Sequence, residues 1–168
     1  KVQSERGKGT QFDVYLPIEF VSDRIESPKA TPLDTKTLTG IHALLCEDNE
    51  MNREIAITML STFGISTTTA VNGKEGVQLF SESAENTFDV ILMDLRMPEM
   101  NGYEATAAIR QLARKDAATV PIIAMSADAY QSDIQKCLNA GMNGHVSKPI
   151  DPQILFTELI KFCKISED

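Results

Sequence analysis

Short apolar runs alternate with longer amphipathic segments from residue 40 towards the C-terminal end of the chain. A short, nearly continuous apolar run is typical of a strand that is buried on both faces of a sheet. The longer segments repeat their apolar residues at helical spacing. Strands are therefore predicted at 41–46, 65–71, 88–93, 120–125 and 144–147. Helices are predicted between the first strand and Gly64, and at 73–83, 102–114, 129–140 and 152–163.

This alternation predicts an α/β domain, with a doubly wound, five-stranded parallel sheet in the flavodoxin-like strand order 2-1-3-4-5. Right-handed crossover connections bring the C-terminal ends of all the strands to one edge of the sheet. Ligands of such folds bind at that edge. Polar residues that directly follow the strands are therefore the candidate site residues.

Polar side chains stand at the ends of four predicted strands. Glu47 and Asp48 come after the first strand, Asp94 after the third, Ser126 after the fourth and Lys148 after the fifth. Because strands one and three are neighbours in the predicted order, the three carboxylates would meet and repel one another unless a cation joins them. Oxygen ligands at an open, solvated edge suit Mg²⁺, which keeps several of its waters. The pattern therefore predicts a magnesium site.

Each candidate residue also has a purely structural explanation. Asp48 or Asn49 can cap the helix that follows. A serine at the end of a strand is usually a turn residue, and a lysine is usually solvated. A functional site is favoured because the topology brings Asp94, Ser126 and Lys148 to the same edge of the sheet as the acidic pair.

Composition narrows the range of functions. A net charge of −8 argues against a direct nucleic-acid partner, because proteins that bind nucleic acid show a clustered basic face. No apolar run approaches the roughly 20 residues that span a bilayer, and nothing resembles a signal peptide. The three cysteines lack metal-ligand spacing, and an odd number argues against a disulfide framework. We therefore expect reduced cysteines in or near the core.

The N-terminal residues differ in character from the rest of the chain. Residues 10–20 alternate apolar and polar side chains, which places Phe12, Val14 and Leu16 on one face of a strand. A glycine-punctuated turn precedes this strand and predicts a β-hairpin. An isolated hairpin is marginally stable in water, so we expect this one to be the remnant of a larger sheet. Residues 21–39 carry prolines and serines without a sustained period and are predicted to be a linker.

The strand-end motifs, in this order over residues 41 to about 163, resemble the receiver domain of two-component response regulators. The resemblance implies that Asp94 is the residue that is phosphorylated. It implies that Ser126 hydrogen-bonds one phosphoryl oxygen and that Lys148 pairs with another. It also implies a Mg²⁺ cofactor, whose ligands would be Glu47, Asp48, Asp94 and the main-chain carbonyl of Arg96.

The resemblance also singles out three residues that would tune or switch the site, and two of them, Arg96 and Asp128, would border the cleft. Arg96 lies two positions after Asp94, and Asp128 lies two positions after Ser126. We expect this pair to set water access and hence the lifetime of the acyl phosphate. His145 stands where most receivers carry Tyr or Phe. It is either a partly exposed histidine without a special role or part of a pH-sensitive switch.

The phrase at 4–17 is similar to the closing strands of a histidine-kinase ATP-binding domain. The predicted organisation is therefore that of a hybrid histidine kinase, with a kinase fragment at 1–20, a linker at 21–39 and a receiver domain at 40–165. We expect the fragment to carry only self-phosphorylation and autodephosphorylation activity, without a kinase core. We also expect a cytoplasmic monomer without direct membrane contact, from a parent kinase that can be anchored in the inner membrane.

Two functions fit this resemblance. The leading hypothesis is a phosphorelay receiver, which takes a phosphoryl group from the phosphohistidine of a histidine kinase onto Asp94 and relays it to a histidine phosphotransfer protein. The alternative is a docking-only or regulatory receiver that controls its own kinase without onward transfer. Other classes fit less well. A haloacid dehalogenase would need an aspartate where Arg96 stands, and a dinucleotide-binding fold would need a glycine-rich turn at the acidic residues 47–52.

Overall fold

The computed structural model describes residues 1–15, 38–127 and 131–163. The chain divides into two compact units, Lys1–Pro32 and Leu33–Asp168. The predicted linker lies almost entirely outside the described residues. Among the residues that the structure does describe, no helix is long and apolar enough to cross a bilayer.

The described part of the first unit contains an antiparallel β-hairpin. Its strands, β1 (Val2–Glu5) and β2 (Gly9–Phe12), pair with Val2 opposite Phe12, and their residues are exposed. The hairpin is therefore confirmed. Its second strand ends at Phe12, earlier than the alternating pattern predicts, although Asp13 still exchanges main-chain hydrogen bonds with Lys1. Leu16 lies outside the described residues.

The second unit is built on a parallel sheet flanked by helices. Its strands are β3 (His42–Cys46), β4 (Ser66–Ala70), β5 (Val90–Asp94), β6 (Ile122–Ser126) and β7 (Gly144–Ser147). Its helices are α1 (Glu50–Thr62), α2 (Gly73–Glu82), α3 (Gly102–Arg110), α4 (Gln131–Asn139) and α5 (Pro152–Phe162). The strand order is β4-β3-β5-β6-β7, which is the predicted flavodoxin-like order 2-1-3-4-5 and confirms the fold class.

Two apolar clusters cover the two faces of this sheet. Along β5, Ile91 and Met93 belong to the cluster that includes residues of α2, α3 and α4. Val90 and Leu92 belong to the other cluster, which includes residues of α1 and α5. Because side chains alternate between the faces of a strand, β5 is buried on both sides, as its continuous apolar run predicts. Its last residue, Asp94, continues the face of Leu92.

Asparagine caps begin three of the helices near the C-terminal edge of the sheet. Asn49 Oδ1 accepts a hydrogen bond from the main-chain nitrogen of Asn52 at 3.0 Å, and Asn72 and Asn101 cap α2 and α3 in the same way. Such a side chain satisfies a main-chain donor that the helix itself leaves without a partner. The cap of α1 is thus Asn49, so Asp48 is not needed for it.

Helix α3 ends at Arg110, so the predicted helix at 102–114 is too long. The following residues form a turn and a short 3₁₀ helix at Asp116–Ala118. Within this segment the guanidinium of Arg114 donates hydrogen bonds to carbonyls at and just beyond the end of α2 and pairs with Asp116 at 2.7 Å. These long-range contacts outweigh the local helical pattern and fix the turn.

Asp116 is a buried carboxylate that depends on this pairing. It is 5% exposed, and it also accepts a hydrogen bond from the main-chain nitrogen of Asn86 at 2.7 Å. The hydrogen bond from Arg114 lowers the pKa of Asp116 from 3.8 to about 2. A carboxyl group with a depressed pKa in the folded state stabilises the fold above its unfolded-state pKa. That stabilisation is lost as the pH falls through the folded-state value.

We therefore expect Asp116→Asn to lower the free energy of unfolding at pH 7 by about 2 kcal/mol. The difference from the wild type should shrink as the pH falls from about 4 to about 2, because the wild-type carboxylate then becomes protonated. Urea denaturation at pH 7, and then at decreasing pH down to about 2, measures both effects. Glu54→Gln, at an exposed position on α1, is the control and should change the free energy by less than about 0.5 kcal/mol. A difference that does not vary with pH would contradict the prediction.

Candidate functional site

Three carboxylates meet at the C-terminal edge of the sheet. Cys46 of β3 pairs in register with Met93 of β5, so the residues that follow them, Glu47 and Asp94, lie side by side. Asp48 is next to Glu47, and one carboxylate oxygen from each of the three acidic residues lies within 4.8 Å of the others. The structure thus brings together the three acidic residues that the sequence singles out.

Two of these three carboxylates are buried. Glu47 is 1% exposed and Asp94 is 5% exposed, whereas Asp48 is exposed to solvent. Buried carboxylates that lie close together repel each other, and burial removes the water that would otherwise stabilise their charges. The site therefore needs positive charge in direct contact with Glu47 and Asp94.

Lys148 supplies this charge from the end of β7. Its ammonium donates to Glu47 Oε2 at 2.6 Å and to Asp94 Oδ2 at 2.7 Å. Burial lowers the pKa of Lys148, but the hydrogen bonds and negative charges of Asp94 and Glu47 outweigh burial and hold that pKa above its ordinary value of 10.5. Lys148 is therefore charged at neutral pH and neutralises part of the acidic cluster.

The main chain of Lys148 is fixed to the neighbouring strand. Its nitrogen donates a hydrogen bond to the main-chain oxygen of Ser126 at 2.7 Å. The Lys148–Pro149 peptide bond that follows is cis. The side chain of Lys148 extends across the edge of the sheet to Glu47 and Asp94.

Two residues in the first turn of α1 position Glu47, and the patterns in the sequence do not single out either of them. Asn52 Nδ2 donates to Glu47 Oε1 at 3.1 Å. A guanidinium nitrogen of Arg53 donates to the main-chain oxygen of Glu47 at 2.9 Å. Apolar periodicity carries no information about polar residues on the first turn of a helix. Their signal in the sequence is their position three and four residues after the Asn49 cap, where a helix starts at the edge of the sheet.

The loop after β5 approaches Asp94 closely. The main-chain nitrogen of Arg96 lies 3.2 Å from Asp94 Oδ1, and the Arg96 side chain is exposed. Gly102 begins α3 against the end of β5, where a β-carbon would collide with the main-chain oxygen of Asp94. A residue without a side chain is therefore required for this approach. Asp128, the expected neighbour of Arg96, lies outside the described residues.

Ser126 and His145 are in contact on neighbouring strands. Ser126 ends β6 and is 5% exposed, and its Oγ lies 2.8 Å from Nε2 of the half-buried His145 on β7. Either atom can be the donor, depending on the tautomer of the imidazole. The sequence singles out both residues but does not predict this contact.

The donor set suits a hard divalent cation. Three carboxylates face one ammonium, so the cluster keeps negative charge for a further cation. Both oxygens of Glu47 and both oxygens of Asp94 already accept hydrogen bonds, so the exposed carboxylate of Asp48 is the one best placed to bind such an ion directly. Few protein ligands and several waters are the arrangement that Mg²⁺ prefers.

Replacing Lys148 should destabilise the fold, because it leaves Glu47 and Asp94 buried without their ammonium. We expect Lys148→Met to lower the free energy of unfolding by about 2 to 4 kcal/mol in a buffer without divalent cations. Urea denaturation measures this change. Lys161→Met is the matched control, since Lys161 pairs with Glu158 on the surface and should contribute less than about 1 kcal/mol. Equal losses of unfolding free energy in the two variants would contradict the conclusion that Lys148 stabilises the buried carboxylates of Glu47 and Asp94.

Comparison with known families places this geometry in context. The model of the response regulator receiver domain matches residues 43–160. "Hybrid signal transduction histidine kinase I" of Dictyostelium discoideum is 38% identical over 128 residues, which is 74% of this chain. "Histidine kinase 1" of Arabidopsis thaliana is 32% identical over 161 residues, with 78% of this chain covered. The chain spans 7% and 13% of the lengths of these two relatives.

Solved structures agree with this assignment. The receiver domain of the sensor histidine kinase PA1611 from Pseudomonas aeruginosa PAO1, which has a magnesium ion coordinated in its active-site cleft, is 37% identical with a TM-score of 0.65. That match covers 74% of this chain and 98% of the other. A match at 29% identity and a TM-score of 0.64 comes from the complex of the Saccharomyces cerevisiae phosphotransfer protein Ypd1 with the receiver domain of Ssk1, and covers 73% and 88% of the two chains. The chain therefore belongs to the receiver domain family of two-component response regulators.

Proposed function

We propose that Asp94 accepts a phosphoryl group from a phosphohistidine and that the receiver relays this group to a histidine phosphotransfer protein. The observation that carries the proposal is the 2.7 Å contact between Lys148 and Asp94 beside two further carboxylates. Asp94 is thereby a nucleophile held next to a positive charge and to ligands for a metal ion. These are the elements that phosphoryl transfer requires.

In the proposed step, a carboxylate oxygen of Asp94 forms a bond to phosphorus. The bond between phosphorus and the imidazole nitrogen of the donor breaks, and its electron pair returns to the imidazole. Onward transfer is the same exchange in the opposite direction. An imidazole nitrogen of the phosphotransfer protein then attacks phosphorus, and the carboxylate of Asp94 is the leaving group.

Lys148 and Ser126 are the residues proposed to contact the transferred group. The ammonium of Lys148 is a compact charge on a flexible stem, so it can follow a phosphoryl oxygen while staying close to Asp94. The hydroxyl of Ser126 is at the end of β6, which pairs directly with β5, and it is proposed to donate a hydrogen bond to a second oxygen. Both contacts stabilise charge that is added to Asp94.

Four groups would hold the magnesium ion: the carboxylates of Glu47, Asp48 and Asp94 and the main-chain carbonyl of Arg96. A divalent cation supplies charge neutralisation to both the carboxylate and the phosphoryl oxygens. The magnesium ion in the cleft of the Pseudomonas receiver supports this part of the proposal. Arg96 and Asp128 are further proposed to set the access of water to the cleft.

We propose that the parent protein is a hybrid histidine kinase and that its phosphodonor is a histidine kinase domain. Residues 1–20 would be the end of the ATP-binding domain, residues 21–39 a linker and residues 40–165 the receiver. The similarity to the D. discoideum hybrid kinase and the hairpin of β1 and β2 support this organisation.

Helix α1 offers a surface for a protein partner beside the acidic cluster. It begins directly after the Asn49 cap, next to Asp48, and it exposes 73% of Met51 and 45% of Ile55. Exposed apolar side chains beside a reaction site are typical of a surface that a partner covers. We therefore propose that Met51 and Ile55 contact the phosphotransfer protein, and the yeast complex supports this class of partner.

Intact mass after incubation with acetyl phosphate and Mg²⁺ tests the acceptor. We expect the mass of the wild type to increase by one phosphoryl group in a reaction that requires Mg²⁺. Asp94→Asn should show no increase. Asp89→Asn is the matched control, because Asp89 lies at the opposite end of β5 and hydrogen-bonds the main-chain nitrogen of His42, and it should be phosphorylated like the wild type. A phosphoryl group that persists in Asp94→Asn would refute the assignment.

The proposed docking surface on α1 can be tested by comparing phosphoryl transfer from two donors, a phosphotransfer protein and acetyl phosphate. We expect the double variant Met51→Gln, Ile55→Gln to slow phosphoryl transfer from a phosphorylated histidine phosphotransfer protein by about tenfold, because a combined loss of about 1.4 kcal/mol of apolar contact corresponds to a factor of ten. Phosphorylation by acetyl phosphate should be unchanged, because a small donor does not need the surface. Radiolabel transfer in rapid-quench experiments measures both rates.

A matched control variant on α5 shows whether the effect is specific to α1, and the same experiment distinguishes the alternative function. Ile154→Gln, at an exposed apolar position of α5, should not slow transfer from the phosphotransfer protein. Equal slowing by the α1 and α5 variants would contradict the proposed docking surface. No transfer in either direction, although acetyl phosphate still phosphorylates Asp94, would favour the regulatory receiver without onward transfer.

A further inference from the structure

Three helices near the C-terminal edge of the sheet begin after an asparagine cap, but α1 differs from α2 and α3 at its third residue. In α2 and α3 that residue is a glutamate whose carboxylate turns back to the start of the helix. Glu75 Oε2 accepts a hydrogen bond from the main-chain nitrogen of Val71 at 2.7 Å, and Glu104 Oε2 accepts one from that of Asn101 at 3.0 Å. In α1 the third residue is Asn52.

The departure in α1 is explained by the acidic cluster rather than by the helix. A glutamate at the third position stabilises the start of a helix, because its carboxylate satisfies a main-chain donor. The side-chain amide of Asn52 instead donates to Glu47 Oε1 at 3.1 Å. A glutamate in its place would add a carboxylate next to Glu47, which is already buried. Asn52 therefore serves Glu47 at a position where the other two helices serve their own first turns.

Glu47 is held by a donor at each of its side-chain oxygens. Lys148 Nζ donates to Oε2 at 2.6 Å, and Asn52 Nδ2 donates to Oε1. The main chain here is held separately, because a guanidinium nitrogen of Arg53 donates to the main-chain oxygens of Glu47 at 2.9 Å and of Asp48 at 3.4 Å. Loss of the amide of Asn52 would thus free the carboxylate of Glu47 without freeing its main chain.

The orientation of this carboxylate bears on the choice between divalent cations. Ca²⁺ takes about six to eight oxygen ligands in a flexible geometry, and a carboxylate binds it through one oxygen or both. Mg²⁺ requires a nearly octahedral arrangement and keeps several of its waters. A carboxylate that binds an ion through both oxygens must turn both of them towards that ion. Glu47 cannot do this while Asn52 and Lys148 hold its two oxygens.

We propose that Asn52 is a positioning residue that makes the site selective for Mg²⁺ over Ca²⁺ by holding the carboxylate of Glu47 back from the ion. This inference rests on the proposed magnesium site. Ca²⁺ gains an additional carboxylate ligand from Glu47 only if the hydrogen bond from Asn52 breaks. Mg²⁺ keeps its waters and does not need a direct contact with Glu47. The hydrogen bond therefore disfavours the binding of the larger ion and leaves that of the smaller one unchanged.

Titration with Mg²⁺ and with Ca²⁺, followed by the NMR chemical shifts of the main-chain amides, tests the proposal. Asn52→Leu removes the donor at nearly constant side-chain size. Asn52→Ala also lacks the donor and favours a helix, so it provides the same test if the leucine variant does not fold. Asn52→Gln keeps an amide donor on a longer side chain. Asn139→Leu, at an exposed position of α4, is the matched control outside the site.

The measured quantity is the ratio of the dissociation constant for Ca²⁺ to that for Mg²⁺. We expect Asn52→Leu to lower this ratio about three- to tenfold, the range that corresponds to one ordinary hydrogen bond, because Ca²⁺ no longer has to displace the amide. The dissociation constant for Mg²⁺ should stay within about twofold of the wild-type value. Asn52→Ala should lower the ratio as well, and Asn52→Gln should lower it less than Asn52→Leu. Asn139→Leu should leave it unchanged.

Several results would overturn the proposal. An unchanged ratio in Asn52→Leu and Asn52→Ala would show that Asn52 does not set the selectivity. An equal gain in affinity for both ions would show that Asn52 holds Glu47 back from any cation alike. A shift of the same size in Asn139→Leu would show that the effect does not arise at the site. Failure of the wild type to bind Mg²⁺ would overturn the proposed magnesium site together with this inference, whereas Mg²⁺ binding with an unchanged ratio in the variants overturns this inference alone.

Discussion

The repulsion between buried carboxylates at the edge of the sheet is the constraint on which the rest of the site depends. Glu47 and Asp94 are almost fully buried beside Asp48, and Lys148 is the ammonium that bridges the two buried groups. Buried ion pairs recover the free energy of desolvation only in part, and here acids outnumber the base. The remaining negative charge favours a divalent cation and, through it, a phosphoryl group. The site is therefore suited to bind charge at some cost to stability.

The fold separates this chemistry from the contacts that stabilise the domain. The register between β3 and β5 brings Glu47 beside Asp94, and the Asn49 cap starts α1 without using an acidic side chain. At the opposite end of the sheet, Arg114 and Asp116 fix the segment that leads into β6. Because stability is supplied there and in the two apolar clusters, the C-terminal edge can carry unbalanced charge.

The sequence predicts those parts of the structure that depend on long apolar patterns. Five short strand patterns in alternation with helical patterns determine the topology, and the topology brings Asp94 and Lys148 to one edge. The contact of Asn52 with Glu47 and that of Ser126 with His145 were not predictable, because they depend on side-chain rotamers and on the register of polar residues. The predicted end of α3 was wrong for a related reason, since the partners of Arg114 are distant in the sequence.

The central claim is that Asp94 carries the phosphoryl group. Reduction of the phosphorylated protein with sodium borohydride tests it most directly, since borohydride converts the acyl phosphate of an aspartate into homoserine. Peptide mass spectrometry then locates the converted residue. The account predicts homoserine at position 94 and unchanged aspartate at Asp48 and Asp89. Homoserine at either of these two positions, with Asp94 unchanged, would contradict it.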